Sequence, residues 1–265
     1  GVMKRPSLKS HQLAVRRFKL TKGDYQAIDP DERVLFFMLA QTSNEIGMLH
    51  AILMQALNGV RDHHPRPVRE TSLGMALFMA RLMTNRLCEG WTVISKVKTV
   101  QLFDQLWTDV PPNPANREIY GQAIEARDRL SAYFGQSDNL LTKVRNKLAS
   151  HIDRATFSGA FDIAPTDLDM SDFHTGMVGT TFFGGADSLQ AIAVSHLIGS
   201  QDSAEGNNQL FAQVGAVAED LKTFIDGFSV AFIVSRFGAS GLGGDPQILS
   251  NLPKARHSRV HYFMS

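Results

Sequence analysis

The chain has one cysteine, Cys88, in 265 residues. That count excludes an intrachain disulfide and gives no sign of an oxidising compartment, so a reducing cytoplasm is the expected location. No stretch approaches the roughly 20 uninterrupted apolar residues of a membrane helix, so no membrane span is expected. Residues 1–22 are not followed by the apolar run of a secretory signal, although their composition leaves an arginine-rich organelle leader open. Those 22 residues also lack acid: Lys4, Arg5, Lys9, Arg16, Arg17, Lys19 and Lys22 stand alone. Residues 153–226 have the opposite shortage, with Arg154 and Lys222 set against eleven carboxylates, and Lys254, Arg256 and Arg259 make the tail basic again. This asymmetry fits either internal pairing of basic and acidic parts or attraction of a polyanion to the basic ends.

Several chemical signatures are missing as well. No Glu-x-x-His pair occurs, which excludes the usual carboxylate-bridged metal bundle, and Glu45 and His50 are five apart on different helix faces. "FGASGLGGDP" lacks the Gly-Lys-Ser/Thr ending and follows a helix, so it reads as an exit loop and not a phosphate cradle. His63 and His64 are metal-ligand types without a second half nearby and read as loop histidines. No nucleophile-elbow pattern appears. Neither a metal nor a cofactor is expected.

What remains is an ordinary globular composition, 43% apolar and 20% charged, with strong helical periodicity. Asp29 before Pro30, followed by Asp31 and Glu32, predicts a helix start, and Gly59 predicts its end. Between them Leu35, Leu39, Ile46, Leu49, Ile52, Leu53 and Leu57 recur at helical spacing. Residues 71–107 carry apolar positions over more than 30 residues and predict one long helix, with Gly90 marking a close crossing or a bend. A third helix is expected from about Asn116 to Phe134. Ser137 or Asp138 would cap a fourth, which carries Leu140, Leu141, Val144 and Leu148. Asn44, Glu45 and Glu89 interrupt apolar runs and point either to a surface stripe or to interior polar contacts.

Residues 154–185 read as loop and short extended chain, with a small hairpin. Helix returns at about Asp187–Leu197 and Asn208–Phe237, and no fixed-period repeat is present. The expected fold is all-α: an up-and-down four-helix bundle with additional C-terminal helices and a short irregular or hairpin segment. Its divisions are a basic segment over 1–28, the bundle over 29–153, a helical part packed on it over 154–237, and an irregular tail over 238–265.

The fourth helix ends in "VRNKLASHID", where Arg145, Asn146 and His151 gather in an otherwise aliphatic run. On a regular helix, positions six apart lie about 120° apart, so Arg145 and His151 would not face one another unless the helix unwinds near Ser150. A cation near a helix C-terminus is also favourable in itself.

An arginine, a polar residue and then a histidine after a short spacing, near the end of a bundle helix, resembles the signature of the HEPN superfamily. The similarity covers about residues 30–155, and "RVLFFMLAQTSNEI" and "RLCEGW" look like uncharacterised bacterial proteins of this type. The resemblance implies a HEPN-like bundle and a metal-independent endoribonuclease of a toxin or defence type. It assigns His151 to proton transfer during attack of a ribose 2′-OH, Arg145 to charge stabilisation and Asn146 to orientation. The implied partners are RNA, a second copy in a homodimer and an antitoxin-type protein. The alternatives are a non-catalytic helical protein that binds a partner, a nucleotide or RNA, and a small-molecule enzyme with its pocket under residues 154–185.

Overall fold

Asp29 starts the first long helix as its sequence predicts: its carboxylate accepts from the amides of Asp31 and Glu32 at 2.9 and 3.2 Å, and helix α2 runs over Pro30–Gly59. The structure, a computed structural model, describes residues 13–15, 19–61, 63–149, 154–174, 181–238, 247–250 and 258–262. Before α2, strand β1 (Leu13–Val15) and the short helix α1 (Lys22–Gln26) stand within the basic segment. Then come α3 (Arg66–Ile94), α4 (Val97–Asp109), α5 (Pro114–Phe134) and α6 (Leu140–Val144). A π turn over Arg145–Ala149 continues α6. The chain closes with α7 (Arg154–Ile163), α8 (Gly184–Ile198), α9 (Ser203–Phe237) and strand β2 (Gln247–Leu249).

Among the described residues the fold is all-α apart from two small extended features. β1 and β2 pair antiparallel, with Ala14 opposite Ile248, and Phe173 and Phe182 form an isolated antiparallel bridge. The helix expected over 71–107 is two helices. It breaks at Ser95 and Lys96, where Lys96 is extended and the Thr99 hydroxyl donates to the Val93 carbonyl at 2.7 Å. That side-chain bond takes a carbonyl at the end of α3 and turns the chain, while Gly90 stays inside the helix. Asn139, not Ser137 or Asp138, caps α6. Residues 154–163, read from the sequence as loop or extended chain, are helical α7. The tail likewise contains β2 instead of being irregular throughout.

Four long helices surround the core. A Cβ on Gly59 would collide with Ser72, and one on Gly90 would meet Thr42 at 3.0 Å, so α2 and α3 run antiparallel and nearly touch. On Gly90 the same Cβ would lie 2.9 Å from Leu221 of α9, so the close crossing read from the sequence at this position is present. α9 runs antiparallel to α2, with Arg236 bonded to Glu32 at 2.9 Å, and antiparallel to α5, with Arg129 bonded to Asp220 at 2.7 Å. Phe36 and Phe232 stack at 4.2 Å, and Phe103 lies 4.9 Å from Phe224 and 6.5 Å from Phe228. These rings are buried and join α2, α4 and α9 in one apolar cluster. α9 therefore supplies much of the core although it lies in the C-terminal third.

Candidate functional site

Two polar anchors place the turn that carries Arg145. Asn139 accepts from the Thr142 amide at 2.9 Å and donates to the Gln136 carbonyl at 2.9 Å. The Tyr133 hydroxyl accepts from the Leu141 amide at 3.2 Å and donates to Gln213 of α9 at 2.7 Å. The start of α6 is thus tied to α5 and α9. From there Leu140, Leu141, Val144 and Leu148 enter the core, and the apolar spacing that buries them turns the intervening residues outward. Arg145 is half-buried, and Asn146 and Lys147 are exposed.

The geometry of this segment differs from the regular helix assumed in the sequence reading. Residues 145–149 form a π turn, which is wider than an α-helical one. The azimuth of 100° per residue does not hold across such a turn, so the 120° separation derived for Arg145 and His151 loses its basis. His151 itself, with Ser150, Ile152 and Asp153, lies outside the described residues. The structure therefore brings Arg145 and Asn146 onto one turn and leaves their relation to His151 unstated.

α3 forms the wall behind the turn. Arg81 donates to the Leu148 carbonyl at 3.1 Å, and its guanidinium lies 5.7 Å from the centre of the Phe78 ring. The carbonyl of a π turn thus gains a cationic donor, which is a stronger bond than a neutral donor makes. Burial lowers the proton affinity of Arg81, and the Asp187 carboxylate opposes that effect. Cys88 sits one helical stretch further along the same wall. Burial pushes its thiol up to about 11, while the positive charge of Arg145 and a hydrogen bond with Thr142 act the other way. A thiol held protonated at neutral pH is a packing group and not a nucleophile. Sequence reasoning missed Arg81; its one visible sign was a cation inside the apolar run of α3.

The other candidates resolve into structural roles. Arg86 joins Glu45 at 2.8 Å and Glu89 at 2.7 Å, so these two carboxylates form a surface triad. Asn44 is exposed. The rings of His63 and His64 lie 3.9 Å apart, and Arg259 approaches His64 at 3.1 Å, a poor setting for a cation. Among the described residues no group of three histidine, cysteine or carboxylate side chains is arranged to hold a metal, and no helix is long and apolar enough to cross a membrane. The glycine-rich segment 239–246 lies outside the described residues. No protein-family model, no curated protein and no solved structure matches this chain, so its site is read from its own geometry.

Proposed function

We propose that the protein is a HEPN-like helical endoribonuclease, acting as a homodimer, whose reacting groups are Arg145, Asn146 and His151. The observation that carries the reading is the π turn. It presents a half-buried arginine and an exposed asparagine at the end of a bundle helix, and π turns recur at functional sites because they re-aim side chains at a cost in regular bonding. In the proposed reaction the ribose 2′-oxygen forms a bond to the adjacent phosphorus and the bond to the 5′-oxygen breaks. His151 moves the proton, Arg145 stabilises charge on the phosphoryl oxygens and Asn146 orients the phosphate or the imidazole. The need for a 2′-OH selects RNA over DNA.

Single-stranded RNA cleavage in the presence of a chelator tests this. His151→Ala should reduce the rate roughly 10²- to 10⁴-fold and Arg145→Ala roughly 10²- to 10³-fold. Equal cleavage by wild type and His151→Ala, or cleavage by neither, would overturn the catalytic role.

A second reading, a non-catalytic interaction protein with an antitoxin-type partner, draws on the surface of α2. Val34, Phe37 and Met38 share one face of α2 with Met48 and Ile52 further along it, and all are exposed, with Gln41 and Glu45 between the two groups. Such a stripe serves a protein partner as well as a second copy. RNA binding that weakens steeply with salt favours the nuclease, whereas no RNA binding favours the interaction protein.

A further inference from the structure

Between α3, α8 and α9 lies a cavity of about 780 Å³, within the size range of small-molecule sites. α3, α8 and the first turns of α9 form its walls, and the chain following α7 forms its rim. Leu73, Leu77, Ala191 and Ile192 make a continuous apolar strip. The charged lining consists of Glu70, Asp169 and Asp187 against Arg66, and Arg66 is already committed to Glu70 and Asp169 at 2.5 Å each. The remaining charge is negative. His196, the other titratable residue of the lining, is exposed at the mouth.

Two acceptors in this cavity have no hydrogen-bond partner among the described residues. Asp187, on the first turn of α8, lies against Gly74 so closely that any Cβ there would collide with its carboxylate. No hydrogen bond or ion pair holds that carboxylate, although burial raises its proton affinity and Arg81 opposes the rise. Asn207 on α9 is only 4% exposed, and its Oδ1 is buried without a partner. It stands beside the crossing of Gly206 and Ser195, and Ser195 is eight residues from Asp187 along α8, or about 12 Å at the helical rise. The Ser195 hydroxyl is bonded to the Ala191 and Ser203 carbonyls, so it does not serve Asn207. Burying the Asn207 acceptor without a donor is unfavourable unless a ligand supplies one, and the half-buried Asp187 carboxylate gains from a charged donor.

We propose that this cavity binds a small organic cation with an apolar body, an alkylammonium or short polyamine. Its ammonium group donates to Asp187, its methylene chain lies along Leu73, Leu77, Ala191 and Ile192, and a second N–H donates to Asn207. Among the described lining residues an anion meets three carboxylates, and the one arginine, Arg66, is already paired with two of them. A neutral alcohol of the same length gains the apolar contacts but not the charge-assisted bond.

Calorimetric titration of the full chain with spermidine, hexylamine, hexanol and hexanoate tests the assignment without RNA, so its outcome is independent of the ribonuclease reading. Spermidine and hexylamine should bind at one site each, with spermidine tighter, and hexanol and hexanoate should bind roughly tenfold or more weakly. Asp187→Asn should weaken both amines roughly 10- to 100-fold. Asn207→Ala should weaken spermidine and leave hexylamine unchanged. Ser188→Phe, which fills the cavity without altering its charge, should abolish both, with the helical circular dichroism retained. Replacing exposed Glu219 of α9 by Gln should change nothing. The assignment is overturned if no amine binds, if hexanol matches hexylamine, or if Glu219→Gln weakens binding as much as Asp187→Asn does.

Discussion

Asp187 and Asp169 sit on the same cavity with opposite electrostatic histories. Burial raises the carboxyl of Asp187 above its ordinary value of 3.8, with Arg81 opposing, and Glu70, Arg66 and His196 complete the charged surroundings on the cavity walls. The folded state therefore binds this proton more tightly than the unfolded chain does. The resulting stabilisation is present below the unfolded pKa and is lost as pH rises through the folded one. Asp187→Asn should thus melt at a higher temperature than wild type near neutral pH in the absence of ligand, with the gap closing as pH falls toward about 4. Thermal melts across that range check the sign, and a variant less stable at neutral pH would contradict it. Asp169 is the reverse case: hydrogen bonds from the Ser171 hydroxyl, then Arg66, hold it down at about 2. What it contributes is present above 3.8 and is lost as pH falls toward 2, and its exposure makes that contribution small. A residue that weakens its own fold unless a ligand arrives is the usual trade at a binding site.

At the scale of single elements, small residues set how closely the helices approach. A Cβ on Gly227 would lie 2.5 Å from the Cβ of Ala123, so α9 and α5 meet there almost backbone to backbone. Gly227→Ala should therefore destabilise the protein by about 1–3 kcal/mol through overpacking, despite alanine's better helix propensity. Urea denaturation measures it, and a stabilised variant would show that the crossing has slack. The start of α2 was legible because Asp29 caps it next to a proline, whereas α5, expected from about Asn116, begins at Pro114 under the Asn113 cap. The break between α3 and α4 was not legible, because it is made by one hydroxyl, that of Thr99, reaching back across the turn. α7 escaped because its glycine and short length resemble loop composition, and contacts with α8 support it instead.

At the scale of the whole molecule, ion pairs link distant parts of the chain. Arg129 meets Asp220, Arg66 meets Asp169, and Arg236 meets Glu32 and Asp109. Asp220 and Asp169 of the acidic stretch thus pair with arginines of α5 and α3 and do not draw on the basic ends. Val34, Met38, Met48 and Ile52 share one face of α2 and are exposed among the described residues. If it is the face of the proposed homodimer, light scattering after size exclusion gives twice the chain mass for wild type, and Met48→Glu shifts the population to the monomer. A wild-type monomer, or a dimer indifferent to this charge, would remove the stripe from the proposal.

The sequence by itself determined the class of fold, the ends of α2 and the presence of α5, α8 and α9. Each of these rests on local spacing, on caps within four residues of one another, or on the side of an amphipathic helix. Tertiary structure decided what spacing cannot express. It placed α9 in the core between α2 and α5, bound Arg81 to the Leu148 carbonyl 67 residues away, and enclosed Asp187 and Asn207 in one cavity with α3. Asp187 and Asn207 carry no local signature, because an aspartate or asparagine on a helix reads as surface until another helix covers it. The π turn belongs to the same group: its side chains read as α-helical, and only the packing of Val144 and Leu148 against α3, with the bond from Arg81, fixes the wider turn that presents Arg145.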